Sequence, residues 1–100
     1  MTDPKQILTA AQIADAELSG WENQGDHLTA TFDTGDFATG LRLVNLIGAS
    51  AEEADHHPDL TLTYGQVDVA LSSHDVGGVT ARDIRLARVI TDHAEGLTLS

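Results

Sequence analysis

Cysteine is absent from the chain, which excludes a disulfide framework, a thiolate metal site and a cysteine nucleophile together. Cations are scarce: 16 acidic residues stand against five Lys and Arg, for a formal charge of -11. Such a surface repels a phosphate backbone and an anionic bilayer alike, so neither direct nucleic-acid binding nor membrane binding is expected. No apolar run approaches the roughly 18 to 20 residues of a membrane helix. The N-terminus also lacks the basic region and apolar core of an export signal, so a cytoplasmic location is expected. What the chain does have is 100 residues, 41% of them hydrophobic and 21% charged. That is enough for one core, and a single domain over residues 1–100 is expected.

Periodicity and turn chemistry give the elements. Thr9-Ala10-Ala11-Gln12 has the capping-box pattern and predicts a first helix to about Leu18, stopped by Ser19-Gly20. From Trp21 two extended runs follow, joined by Gln24-Gly25-Asp26, with Leu28, Ala30 and Phe32 on the apolar side. Asp36 caps a second helix from Phe37. Phe37, Leu41, Val44 and Ala51 mark one face of it, and Leu43, Leu46 and Ile47 widen the stripe beyond what one sheet requires. The second side is expected to meet a partner subunit, because the first helix offers little apolar area.

A second hairpin follows, with Leu60, Leu62 and Tyr64 alternating before a Gly65-Gln66 turn, then Val67, Val69 and Leu71. His74 falls on the opposite parity, with Asp68, Ala70 and Ser72. Tyr64 reads as half-buried hairpin packing. Thr80-Ala81-Arg82-Asp83 is a second capping box, opening a final helix through Ile84, Leu86, Ala87 and Ile90. The order α-β-β-α-β-β-α implies an α+β two-layer domain, a four-stranded antiparallel sheet with helices packed on one face.

The richest chemistry lies in Glu52-Glu53-Ala54-Asp55-His56-His57-Pro58, where a helix runs out against proline. With the polar residues that follow, the pattern is Glu52-x3-His56-His57-Pro58-x5-Tyr64-x9-His74-x8-Asp83. It resembles the signature of the pterin-4a-carbinolamine dehydratase family, also known as the dimerisation cofactor of a homeodomain transcription factor. The resemblance extends from Gly20-Trp21 through Asp36-Phe37 to Thr80-Ala81-Arg82-Asp83-Ile84.

The resemblance implies the same α+β fold, assembled as a homodimer or homotetramer. It implies a lyase that dehydrates 4a-hydroxytetrahydropterin, the product of aromatic amino-acid hydroxylases, in tetrahydrobiopterin recycling. Proton transfers suffice for this, and imidazoles as a class titrate near ambient pH. No metal or cofactor is implied. Adjacent histidines diverge on regular backbone, and no familiar metal-ligand spacing such as His-x3-His is present.

Carried over by position, His56 is the candidate acid and His74 the complementary base or second acid, with the roles interchangeable. His57 and Pro58 would bind the pterin edge, Ser73, His74, Asp75 and Val76 would line its other side, and Trp21 would form an aromatic wall. Glu52, one helical turn before His56, would orient that imidazole and stabilise its cation, with Asp55 in support. Arg82 would pair with a site carboxylate or face solvent. Asp83 reads first as the cap of the last helix and second as a site residue. His27 and His93 fall outside the pattern and read as surface or core-edge residues. The competing function is a non-catalytic binding, assembly or transcription-cofactor protein of the same fold.

Overall fold

A computed structural model of the chain describes residues 3–97. The elements run α1 (Ala10–Asp15), β1 (Glu22–Asn23), β2 (Leu28–Asp33), α2 (Phe37–Ala54), β3 (Asp59–Thr63), β4 (Gln66–Leu71) and α3 (Ala81–Gly96). The strands form one antiparallel sheet in the order β1-β2-β4-β3. Register aligns the apolar residues: Leu28 faces Leu71, Ala30 faces Val69 and Phe32 faces Val67, while Leu60 and Leu62 of β3 meet Val69 and Val67 from the other side. Because side chains alternate across a strand, this puts every large apolar residue of β2, β3 and β4 on one face. That face is covered by α2, which packs on β3, β4 and α3. The opposite face is polar, with Thr31 donating to Asp68 across the β2–β4 pair at 2.7 Å.

The helix caps form as the sequence indicates. Thr9 and Gln12 complete a capping box on α1, Asp36 accepts from the Thr39 N–H at 2.8 Å, and Thr80 and Asp83 cap α3. Three details differ from expectation. α1 stops at Asp15 because Glu17 adopts a left-handed conformation (φ 52), and Arg88 donates to the freed Ala16 carbonyl at 3.1 Å. Leu18 therefore leaves the helix and packs on the core from a loop.

On α2 the buried residues are Gly40, Leu43, Ile47 and Ala51. Phe37 (48% exposed), Leu41 (44%) and Leu46 (38%) face outward. The inner face includes Gly40, where a Cβ would lie 2.7 Å from Leu62 Cδ1, so a residue without one suits this close approach of helix and sheet. Tyr64, third, lies in the two-residue turn closed by the Thr63–Gln66 pair rather than in β3, and is exposed. Among the described residues no helix is long and apolar enough to cross a membrane.

Candidate active site

The site forms where α2 ends, β3 begins, β4 ends and α3 begins. Asp55 terminates α2 in a left-handed conformation (φ 50, ψ 43), a conformation that Asp tolerates better than most residues. The turn lifts His56 off the helical path, so Glu52 and His56 do not share a face. Glu52 hydrogen-bonds instead to His57 Nε2, an exposed pair. The expected Glu52–His56 contact is therefore corrected, and Asp55 acts here through its backbone, its N–H reaching the Ala51 and Glu52 carbonyls.

His56, 9% exposed, is held from α3. Its Nε2 lies 2.5 Å from Asp83 Oδ1, and Asp83 is wholly buried. The second carboxylate oxygen accepts from Ser73 Oγ at 2.7 Å and from the Thr80 N–H at 2.9 Å. Ser73 Oγ also lies 2.7 Å from Thr80 Oγ1. A carboxylate only accepts, so His56 carries its proton on Nε2 and keeps Nδ1 for another partner. The capping box that starts α3 also anchors the imidazole, and Ser73 joins the same carboxylate from the end of β4.

His74, the next residue, is exposed. It sits in the turn Ser73–Gly78, which is closed by the Ser73–Gly78 bridge and by the Gly77 N–H donating to the Ser73 carbonyl at 2.9 Å. Within the turn, Asp75 receives Arg82 at 2.8 and 3.3 Å, a two-pronged contact suited to guanidinium. That hydrogen bonding, then the guanidinium charge, holds the Asp75 carboxyl below the usual range, and the same hydrogen bonding, then the carboxylate charge, pushes Arg82 further up. Arg82 accordingly pairs with a carboxylate of the site region, with Lys5 Nζ 4.0 Å from the same group. Val76 is half-buried, its N–H donating to the Ser73 carbonyl at 3.2 Å.

The two principal histidines face different spaces. His56 lines a cleft of about 390 Å³ between α2 and α3, with Ser50, Glu53, Arg82, Arg85 and Leu86. His74 lines a hollow of about 380 Å³ with Asp59, Ala70 and Ser72, on the polar side of the sheet that its parity indicated. The buried Ser73–Asp83–His56 chain separates and joins them. Trp21 reaches neither: its Nε1 donates to Thr91 on α3 at 2.9 Å, and its ring meets Phe32 edge-on with centroids 6.2 Å apart. The aromatic wall is corrected to a core anchor. Thr80 was not singled out as a site residue, although its place in the capping box with Asp83 was the available signal. Glu53 stood in the carboxylate- and histidine-rich stretch but outside the family pattern, and Arg85 carried no signal.

Geometry of this kind defines a class, a two-layer α+β domain whose sheet end carries a carboxylate-anchored imidazole and a second, exposed one. The family model described as pterin 4 alpha carbinolamine dehydratase matches residues 5–93, and the chain belongs to that family. A provisionally named pterin-4-alpha-carbinolamine dehydratase of Thermosynechococcus vestitus is 47% identical over 79% of this chain and 83% of its own. A protein of the same provisional name from Natronomonas pharaonis is 36% identical over 88% of this chain and 96% of its own. Among solved structures, a transcriptional coactivator/pterin dehydratase from Brucella melitensis superposes with a TM-score of 0.84 at 33% identity, covering 89% of this chain and 99% of that one. A pterin dehydratase-like RuBisCO assembly factor of the alpha-carboxysome shares the fold at TM-score 0.52 and 18% identity.

Proposed function

We propose that the chain is a 4a-hydroxytetrahydropterin dehydratase acting in tetrahydrobiopterin recycling, downstream of an aromatic amino-acid hydroxylase. The observation that carries this reading is the buried Ser73–Asp83–His56 chain. It ties the His56-His57-Pro58 segment to the Ser73-His74-Asp75-Val76 turn, the two segments that would bracket a pterin ring. The reaction breaks the C4a–O bond and removes a proton from the neighbouring ring nitrogen, forming C=N and water. Hydroxide leaves poorly, so an acid must protonate it, and a base must take the ring proton.

His56 is the acid in this scheme and His74 the base, or the reverse. Asp83 fixes the tautomer and orientation of His56 so that Nδ1 remains for the substrate. His57, held by Glu52, and Pro58 bind the ring edge, with Asp55 shaping the turn that delivers them. Asp75, gripped by Arg82, holds the His74 turn. Oligomers would form through Phe37, Leu41 and Leu46, the apolar residues that α2 leaves exposed.

The same exposed face supports a second reading, a non-catalytic assembly or cofactor protein. Stopped-flow dehydration of 4a-hydroxytetrahydropterin separates the two. Wild type should accelerate the reaction, and His56→Ala and His74→Ala should each slow it by about 10² to 10⁴. No acceleration by the wild type would sink the enzymatic reading. A phenotype insensitive to both substitutions but lost on Leu41→Glu would favour assembly.

A further inference from the structure

The two imidazoles proposed to act are held by different means. His56 is hydrogen-bonded to the buried Asp83, whereas His74 is exposed and no described residue hydrogen-bonds its ring. The position of His74 therefore follows the backbone of the turn that carries it. Bonds within that turn converge on Ser73, whose carbonyl accepts from the Val76 and Gly77 N–H groups at 3.2 and 2.9 Å and whose own N–H donates to the Gly78 carbonyl at 2.9 Å. Arg82 holds Asp75 from α3. A surface turn containing two glycines opens readily unless something packs on it.

What packs on it is the chain's own lead into α1. The Leu8 N–H donates to the Val79 carbonyl at 2.8 Å, Leu8 packs on the core and Thr9 caps α1, so this lead is fixed at its inner end. One residue earlier, Ile7 lies on Gly78. A Cβ on Gly78 would stand 3.0 Å from Ile7 Cγ2 and 3.3 Å from both Cδ1 and Cγ1. Gly77 adopts a positive φ of 74, and Gly78 does not. Glycine at 78 thus supplies room for Ile7 rather than a left-handed backbone. Ile7 is 50% exposed and stands outside the hydrophobic core. Lys5 Nζ, 4.0 Å from Asp75, adds an exposed contact of little strength.

We propose that residues 5–8 form a strap that fixes the His74 turn, with Ile7 a positioning residue that acts on His74 through Gly78. The proposal rests on the dehydratase reading, in which His74 must meet the pterin in one geometry while His56 meets it from the end of α2. Asp83 fixes one imidazole directly. The strap fixes the backbone beneath the other, and a small displacement of a proton-transfer group lowers the rate steeply.

The test compares full-length wild type with Ile7→Ala, Ile7→Val, Gly78→Ala and the Ile7→Ala/Gly78→Ala double variant, by stopped-flow dehydration, thermal unfolding and amide hydrogen exchange. Ile7→Ala should lower kcat by about 10-fold, with KM and unfolding temperature little changed, and Ile7→Val should keep most of the activity. Gly78→Ala should also slow the reaction, because its Cβ pushes Ile7 away. Both changes break one contact, so the double variant should lose no more than Ile7→Ala alone. The Val76 and Gly77 amides should exchange faster in Ile7→Ala while those of α3 stay protected. If wild type accelerates the reaction but Ile7→Ala keeps its kcat, leaves exchange in the turn unchanged, or opens α3 equally, the positioning role is overturned and the dehydratase reading stands. If wild type itself gives no acceleration, the dehydratase reading fails and takes this role with it.

Discussion

His56 and His57 follow one another in the chain, yet His56 is 9% exposed and rests on a wholly buried carboxylate, while His57 and its partner Glu52 both lie in solvent. The difference comes from one left-handed residue, Asp55, after which the chain turns one ring inward and the next outward. A buried pair is held by everything packed around it. An exposed pair contributes at most about 1 kcal/mol and rearranges freely. The two neighbours are therefore suited to different work, His56 to a fixed geometry and His57 to an adjustable edge contact.

Activity should separate them most. His56→Ala should lower the dehydration rate by about 10² to 10⁴, and His57→Ala by clearly less; equal losses would erase the contrast. The next largest effect is on stability. Asp83→Ala removes the acceptor of His56, Ser73 and the Thr80 N–H at once, and should cost about 3 kcal/mol or more by urea unfolding, whereas Glu52→Ala should stay within about 0.5 kcal/mol.

The same contrast between packed and open positions runs along α2. Gly40→Ala would drive a Cβ to 2.7 Å from Leu62 Cδ1 and 3.2 Å from Thr34 Oγ1, costing about 1 to 3 kcal/mol. Gly48→Ala meets nothing within 4 Å and should stabilise by about 0.5 to 1 kcal/mol through helix propensity. Unfolding temperatures that move the same way would contradict this account of the helix faces.

The smallest effect concerns the exposed cap. Hydrogen bonding by Thr39, side chain first and then backbone N–H, lowers the Asp36 pKa below its ordinary value. A carboxylate with a lowered folded-state pKa stabilises the fold above its unfolded value, about 3.9, and that contribution is lost as pH falls through the folded value. Asp36→Ala should therefore melt below wild type at pH 7, with the gap closing below about pH 4; a gap independent of pH would remove the charge from the explanation.

The element order, both hairpins, all three caps and the helix-bearing face were legible because each depends on residues close in sequence. Thr9 and Gln12, or Leu28, Ala30 and Phe32, carry their instruction within a few positions. The failures share the opposite cause. Phe37, Leu41 and Val44 have helical spacing as good as Leu43, Ile47 and Ala51, and only packing on the sheet, with Gly40 close to Leu62, shows which stripe turns inward. Tyr64 continues the alternation of β3, but the two-residue turn claims it.

At the site, family resemblance marked His56, His57, His74 and Asp83, while the partner expected for His56 was mis-assigned. Helical spacing pointed Glu52 at His56, and a single change of backbone hand at Asp55 cancelled it.

By itself, then, the sequence determined the α+β architecture and the family and marked the histidines proposed to act, because periodicity, capping and motif spacing are local properties of the chain. Tertiary structure alone decided that Asp83 reaches His56 and that Ser73 joins them. Those contacts join residues brought together by strand register and helix packing, and no spacing along the chain encodes them.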